Sequence, residues 1–135
     1  MTQARRNRGF TLIELLVVLA ILAMLAGLVG PKVMDALGSS KSKTAKVQIE
    51  DLSAALDMYR LDVGSYPKEL NALVERTGSR WNGPYLKKKK VPKDPWGNDY
   101  VYRYPGEHGD FDLISYGADG QPGGDGEGRD IVSWE

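Results

Sequence analysis

The chain has 135 residues, enough for one domain of ordinary size, and its 18 Lys and Arg balance 18 Asp and Glu. A formal net charge of zero argues against a chain built mainly to coat nucleic acid. The lack of Cys excludes disulfides, thiolate zinc sites and Cys nucleophiles, and a single histidine, His108, excludes His-pair metal sites. The charges are nonetheless segregated. Arg5, Arg6 and Arg8 occupy the first nine residues with no acid among them, whereas residues 105–135 hold eight acids against one base, Arg129.

From Phe10 to Gly30 runs an apolar stretch of 21 residues whose only charge is Glu14. As a helix it spans roughly 31 Å, about the thickness of a bilayer's hydrocarbon core. The preceding arginines fit a basic end retained on the cytoplasmic side, which sends the rest of the chain across the membrane. A secretory signal peptide and a plain single-pass anchor are the alternatives. The apolar run is longer than an ordinary signal core, and no A-x-A site follows it; Ala36-Leu37-Gly38 is the nearest imitation. Glu14 is costly in lipid, by about 2.5–3.5 kcal/mol near the bilayer centre and less near the interface. An anchor needing only greasiness would not carry it. Were the chain cut between Gly9 and Phe10, the new α-ammonium at Phe10 would supply a partner charge, within one subunit or between neighbours.

Past Pro31, which can kink the helix, the pattern turns amphipathic. Ala45, Ile49, Leu52, Leu56, Tyr59 and Val63 recur at spacings of three and four, one stripe of a helix that should cover a small sheet. Gly38-Ser39-Ser40 is a weak point where this helix is expected to bend or unwind, and Gly64 and Pro67 stop it. Residues 65–98 read as a loop region with a short helix around Leu70, Leu73 and Val74, its aromatics serving as anchors. Lys87–Lys90 read as a solvated run whose role the residues leave open; no nucleic acid is expected. Three strands follow, around Tyr100–Tyr104, Phe111–Tyr116 and Ile131–Trp134, the first with an aromatic face. His108, in the turn between the first two, reads as a surface residue and not a catalyst.

Between the last two strands, residues 117–130 hold six glycines in fourteen positions together with Asp119, Asp125, Glu127 and Asp130. Such a loop is entropically costly to order and its acids repel one another. A hard cation that collects carboxylates and carbonyls lowers both penalties. Read as an EF-hand from Asp119, the loop fails at Gly123 and at Asp130 in the twelfth place; as a nonapeptide calcium repeat it fails at Gly128. From the residues alone, a calcium loop and an acidic, solvated hairpin loop both stay open.

Two sets of motifs carry a resemblance. Arg8-Gly9-Phe10-Thr11-Leu12-Ile13-Glu14 resembles the leader junction of type IV pilins and pseudopilins. Trp81-Asn82-Gly83-Pro84-Tyr85, Asp94-Pro95-Trp96-Gly97-Asn98, Tyr102-Arg103-Tyr104-Pro105-Gly106 and Ser115-Tyr116-Gly117-Ala118-Asp119-Gly120 resemble the major pseudopilins of the type II secretion system, within the type IV pilin-like superfamily. Together these cover nearly the whole chain. The resemblance implies a prepilin peptidase that cleaves between Gly9 and Phe10 and N-methylates Phe10, and a Glu14 that pairs with the Phe10 amine of an adjacent subunit in assembly. It also implies a calcium ion in the acidic loop, with Asp119 and Asp125 as side-chain ligands and Tyr116 and Gln121 as carbonyl ligands. Family members often have adjacent acids where this chain has Asp125-Gly126-Glu127, so the role of Glu127 stays open.

The expectation is therefore an α+β, type IV pilin-like fold, a long helix packed on a small three-stranded antiparallel sheet. Residues 1–9 are a leader, 10–30 a transmembrane and filament-core helix, 31–64 its amphipathic continuation, 65–98 the loop region and 99–135 the strands with the acidic loop. By resemblance the chain is not an enzyme but a subunit of a short periplasmic filament that drives export of folded proteins. It is held before assembly in the bacterial inner membrane, in lipid, by a single pass with its C-terminal domain in the periplasm. Its partners would be further copies of itself, prepilin peptidase, minor pseudopilins and the inner-membrane assembly platform. The alternative is a type IV pilin for adhesion, twitching or DNA uptake. Many of those close a C-terminal loop with a disulfide that this Cys-free chain cannot form.

Overall fold

The first helix, α1, runs from Leu12 to Val63, 52 residues, in a computed structural model that describes residues 9–135. Most of the expected leader lies outside the described residues. Two units divide the chain, one ending at Leu37 and the other spanning Gly38–Glu135. In the first, every large apolar side chain from Leu12 to Leu37 is exposed, and by length and composition α1 can cross a membrane. Thr11 begins the helix: its Oγ1 accepts the N–H of Glu14 at 3.1 Å, satisfying one of the unpaired donors of the first turn. The helix passes through Pro31 without ending.

In the second unit α1 continues through Gly38-Ser39-Ser40, where a bend or unwinding was expected. Gly38 is buried there because the side chain of Glu127 lies against it. The predicted stripe faces the core: Ala45, Ile49, Leu52, Leu56 and Tyr59 are buried, joined by Ala55, while Val63 is partly buried. Gly64 ends the helix as anticipated. With φ +101° it takes a backbone turn that side chains disfavour, and its N–H returns to the carbonyl of Arg60 at 2.7 Å.

A short 3-10 turn at Leu70–Leu73 follows, and the loop region is anchored by its aromatics. Trp81 Nε1 donates to the carbonyl of Ala72 at 2.6 Å, and Tyr85 donates to Asp62 at 2.8 Å while meeting Tyr59 edge-on. Strands β1 (Val101–Arg103), β2 (Asp112–Ser115) and β3 (Ile131–Val132) form one antiparallel sheet in sequence order. Tyr102 pairs with Leu113 and Ile114 with Val132. All three strands are shorter than the runs predicted for them. The third loses Trp134, whose ring stacks on His108, outside the ladder. The aromatic face of the first run is graded: Tyr100 is buried, Tyr102 partly so and Tyr104 exposed against Tyr66. Central strand β2 is buried at all four residues.

Candidate functional site

The acidic loop starts where β2 ends. Tyr116 leads into a 3-10 turn, Gly117–Asp119, closed by Gly120 in the left-handed conformation; a second turn, Gly126–Gly128, precedes β3. Gly117 needs its glycine. Its φ is +73°, and a Cβ there would meet the carbonyl oxygens of Glu127 and Arg129 at 2.6 and 2.8 Å. The two halves of the loop thus pack backbone to backbone, which no side chain would permit.

Asp119 lies at the centre of that packing. Its Oδ1 accepts the N–H of Gln121 at 3.1 Å. Its Oδ2 is 2.9 Å from where a Cβ would stand on Gly124 and on Gly128 alike. Two glycines therefore make room on one side of a carboxylate that is otherwise exposed. Asp130 turns back into the same loop: its Oδ2 accepts the N–H of Gly123 at 3.0 Å, while its buried Oδ1 has no hydrogen-bond partner among the described residues. Asp119 and Asp130 thus meet the consecutive residues Gly124 and Gly123. Asp130 is not among the ligands that the resemblance implies. Its immediate place before a strand was the available signal, since a residue entering β3 is held by the sheet and a mid-loop acid is not.

The other candidates are placed differently. Asp125 and Gln121 are exposed, as Asp119 is, but Asp125 makes no side-chain cap to the turn that it precedes. The Tyr116 hydroxyl accepts from Arg103 at 3.4 Å. The side chain of Glu127 reaches Gly38 of α1. Among the described residues no three acids or histidines cluster closely enough to hold a metal through side chains alone. A calcium ion accepts backbone carbonyls beside one or two carboxylates, so this backbone-rich loop with an unpartnered carboxylate oxygen is chemically suited to it. His108 is about half exposed, as expected of a surface residue, yet it is engaged: Nδ1 lies 3.3 Å from Oδ2 of the fully buried Asp112.

At the other candidate site, Gly9 and Phe10 are exposed and without regular structure, and Glu14 stands exposed in the first turn of α1. No hydrogen-bond or ion-pair partner of the Glu14 carboxylate is found among the described residues.

Comparison with known proteins separates a generic pilin-like chain from a specific one. The family model described as type II secretion system, protein G, matches residues 32–134, the whole loop region, sheet and acidic loop included. The chain belongs to this protein G family. A second model, the prokaryotic N-terminal methylation motif, matches residues 4–30. The type II secretion system core protein G of Pseudomonas aeruginosa is 49% identical, over 98% of this chain and 99% of that one. The Vibrio cholerae core protein G is 42% identical, over 99% and 96%. Among solved structures, the major pseudopilin from the type 2 secretion system of enterohaemorrhagic Escherichia coli superposes with a TM-score of 0.60 at 32% identity, covering 75% of this chain and 92% of that one. A protein G member with this fold is a pseudopilin by kinship, and the type IV pilin alternative is not favoured.

Proposed function

We propose that this protein G member is the structural, non-catalytic repeating subunit of a type II secretion pseudopilus, a periplasmic filament that drives folded proteins out across the outer membrane. The observation that carries the reading is the apolar stretch of α1 from Leu12 to Leu37, every large side chain of which is exposed. Water does not tolerate a face of that size; lipid does, and so does a bundle of like helices. Before assembly the inner membrane would cover it, with the second unit in the periplasm. After prepilin peptidase removes residues 1–9 and methylates Phe10, neighbouring copies would cover it instead, each Glu14 neutralising a Phe10 amine. Minor pseudopilins and the assembly platform are the further partners of this reading. Deleting the chain from a secreting bacterium and restoring it tests the proposal: exoproteins should collect in the periplasm and reach the medium on restoration. Normal export with lost motility, adhesion or DNA uptake would sink it. The mass of the membrane form, lighter by residues 1–9 and heavier by one methyl, tests the processing.

Calcium in the acidic loop is part of the same reading. Asp119 and Asp125 would supply carboxylates and Tyr116 and Gln121 carbonyls, and Asp130 joins them on the strength of its buried, unpartnered Oδ1. The side chain of Glu127 is directed to Gly38 and is left out of the set. Bound there, the ion would screen the loop's acids and tie its glycine-rich backbone to the sheet. Removing calcium with a chelator should lower the melting temperature of the native chain and leave that of Asp119→Ala unchanged. Equal response of both would count against the site.

A further inference from the structure

We infer that Asp94 and Ser115 form a buried relay that positions Asp119, so that the turn at residues 94–98 sets the geometry of the acidic loop. The inference rests on the calcium reading above for what the positioning serves, but its geometry stands on its own. Asp94 is buried, and no Lys or Arg pairs with it among the described residues. Its charge is met by neutral donors. Oδ1 accepts the backbone N–H groups of Trp96 and Asn98 at 3.1 and 2.8 Å, and Oδ2 accepts the hydroxyl of Ser115 at 2.8 Å. Backbone bonds from Asp94 N–H to the Asn98 carbonyl and from Gly97 N–H to the Asp94 carbonyl close the turn around it.

Ser115 is wholly buried at the end of β2 and passes the contact on. With its proton directed at Asp94, its Oγ is free to accept, and it takes the N–H of Gly117 at 3.3 Å. Gly117 opens the 3-10 turn that ends in Asp119. The same 94–98 turn approaches the loop a second time: the Asn98 amide nitrogen is 3.4 Å from where a Cβ would stand on Gly120. The residues on both sides of Asp119 are thereby referred to one buried carboxylate. An unpaired buried charge is costly to keep, and apolar residues would fill the same space without that cost. A fully satisfied buried network returns a single fixed geometry, which an acidic, glycine-rich loop lacks by itself. Asp94 and Ser115 are positioning residues in this account, acting on calcium only through Asp119.

The test uses the full chain in detergent micelles, with calcium titrated calorimetrically and amide exchange followed by mass spectrometry over residues 116–121 without metal. Ser115→Ala cuts the relay while leaving the Asp94 turn its backbone bonds, so the variant keeps its fold where Asp94→Ala risks losing it. Leu73→Ala removes core packing, and Leu73 shares no hydrogen bond with any member of the relay. Ser115→Ala should exchange at least fivefold faster over residues 116–121 and bind calcium at least tenfold more weakly. Leu73→Ala, at a temperature where it is folded, should bind calcium within twofold of the native chain. Native exchange and native affinity in Ser115→Ala would overturn the relay, and so would an equal loss of affinity in Leu73→Ala. A native chain that binds no calcium overturns the calcium reading, and exchange then decides the relay alone.

Discussion

The imidazole of His108 lies flat on the indole of Trp134, ring centroids 3.9 Å apart and planes 4° from parallel. The stack ties the penultimate residue of the chain to the turn between β1 and β2. Beneath it, the buried Asp112 accepts the N–H groups of Glu107 and His108 at 2.9 and 3.2 Å and faces the His108 ring. Burial by itself would raise the Asp112 carboxyl. The N–H of Glu107 and the contacts to His108 outweigh it, and the carboxyl titrates below its ordinary value of 3.8. A lowered folded-state value means that its stabilisation is present above the ordinary value and lost as pH falls through the folded one. Urea midpoints of the native chain should therefore drop below about pH 4, and those of Asp112→Asn should drop less over the same window. His108→Ala, at neutral pH, should cost about 1–2 kcal/mol and shift the emission of Trp134 to the red.

Gly38 and Gly117 are both crowded, and they should respond in opposite ways to alanine. At Gly117 the obstacle is backbone and φ is +73°, so Gly117→Ala should cost about 2–4 kcal/mol and detach the loop. At Gly38 the obstacle is the end of the flexible Glu127 side chain, and the backbone is already helical. Gly38→Ala should cost nothing or gain up to about 1 kcal/mol from helix propensity. Urea unfolding of the two variants is the comparison, and a large loss at Gly38 would show that Glu127 cannot move aside.

Leu56 of α1 and Leu113 of β2 belong to one buried core and have no exposed surface. Each replaced by Ala should lose about 2–5 kcal/mol, because the cavity adds to the lost transfer energy. Leu61 on the same helix is 78% exposed, and its Ala variant should fall within about 0.5 kcal/mol of native.

Burial pushes the phenols of Tyr100 and Tyr102 well above their ordinary range. Tyr100 donates to Gln48 and Tyr102 to the carbonyl of Pro67, so both protons have partners in the folded chain. Raised values leave stability intact below about pH 10 and withdraw it as pH rises beyond, where only the unfolded chain ionises freely. A spectrophotometric titration of the native chain to pH 11 should leave both unionised. Their full ionisation before unfolding would contradict the burial.

Thr11 caps α1, and with Glu14 it has the spacing of a capping box. Thr11→Val keeps the shape and removes the acceptor. It should cost the first turn about 1 kcal/mol, seen as faster exchange of the Glu14 amide in micelles. Unchanged exchange would mean that the first turn holds without its cap.

Much of the fold was legible because periodicity reports burial directly. The stripe from Ala45 to Val63 is the buried face of α1; alternation located the first strand, and short apolar runs between turn formers located the other two, all to within two residues. Gly64 stopped the helix for the reason its backbone freedom suggests. The expected weak point at Gly38 was misread, because local propensity counts the missing Cβ and not the Glu127 side chain brought against it from 89 residues further along the chain. His108 was rightly put at the surface, but its stack on Trp134 joins two segments that no local pattern relates.

The sequence by itself determined the apolar span, the amphipathic stripe, the strand order and the motifs of the protein G family. Each is a local run of residues whose chemistry acts over one helix turn or one strand. Only the tertiary structure decided which acids of the glycine-rich loop are held. Asp119 lies against Gly124 and Gly128, Asp130 enters from β3, Glu127 leaves for α1, and Asp94 reaches the loop through Ser115. Those contacts depend on where the chain closes in three dimensions. Glycine-rich backbone has no preferred conformation of its own, and there the fold alone chooses.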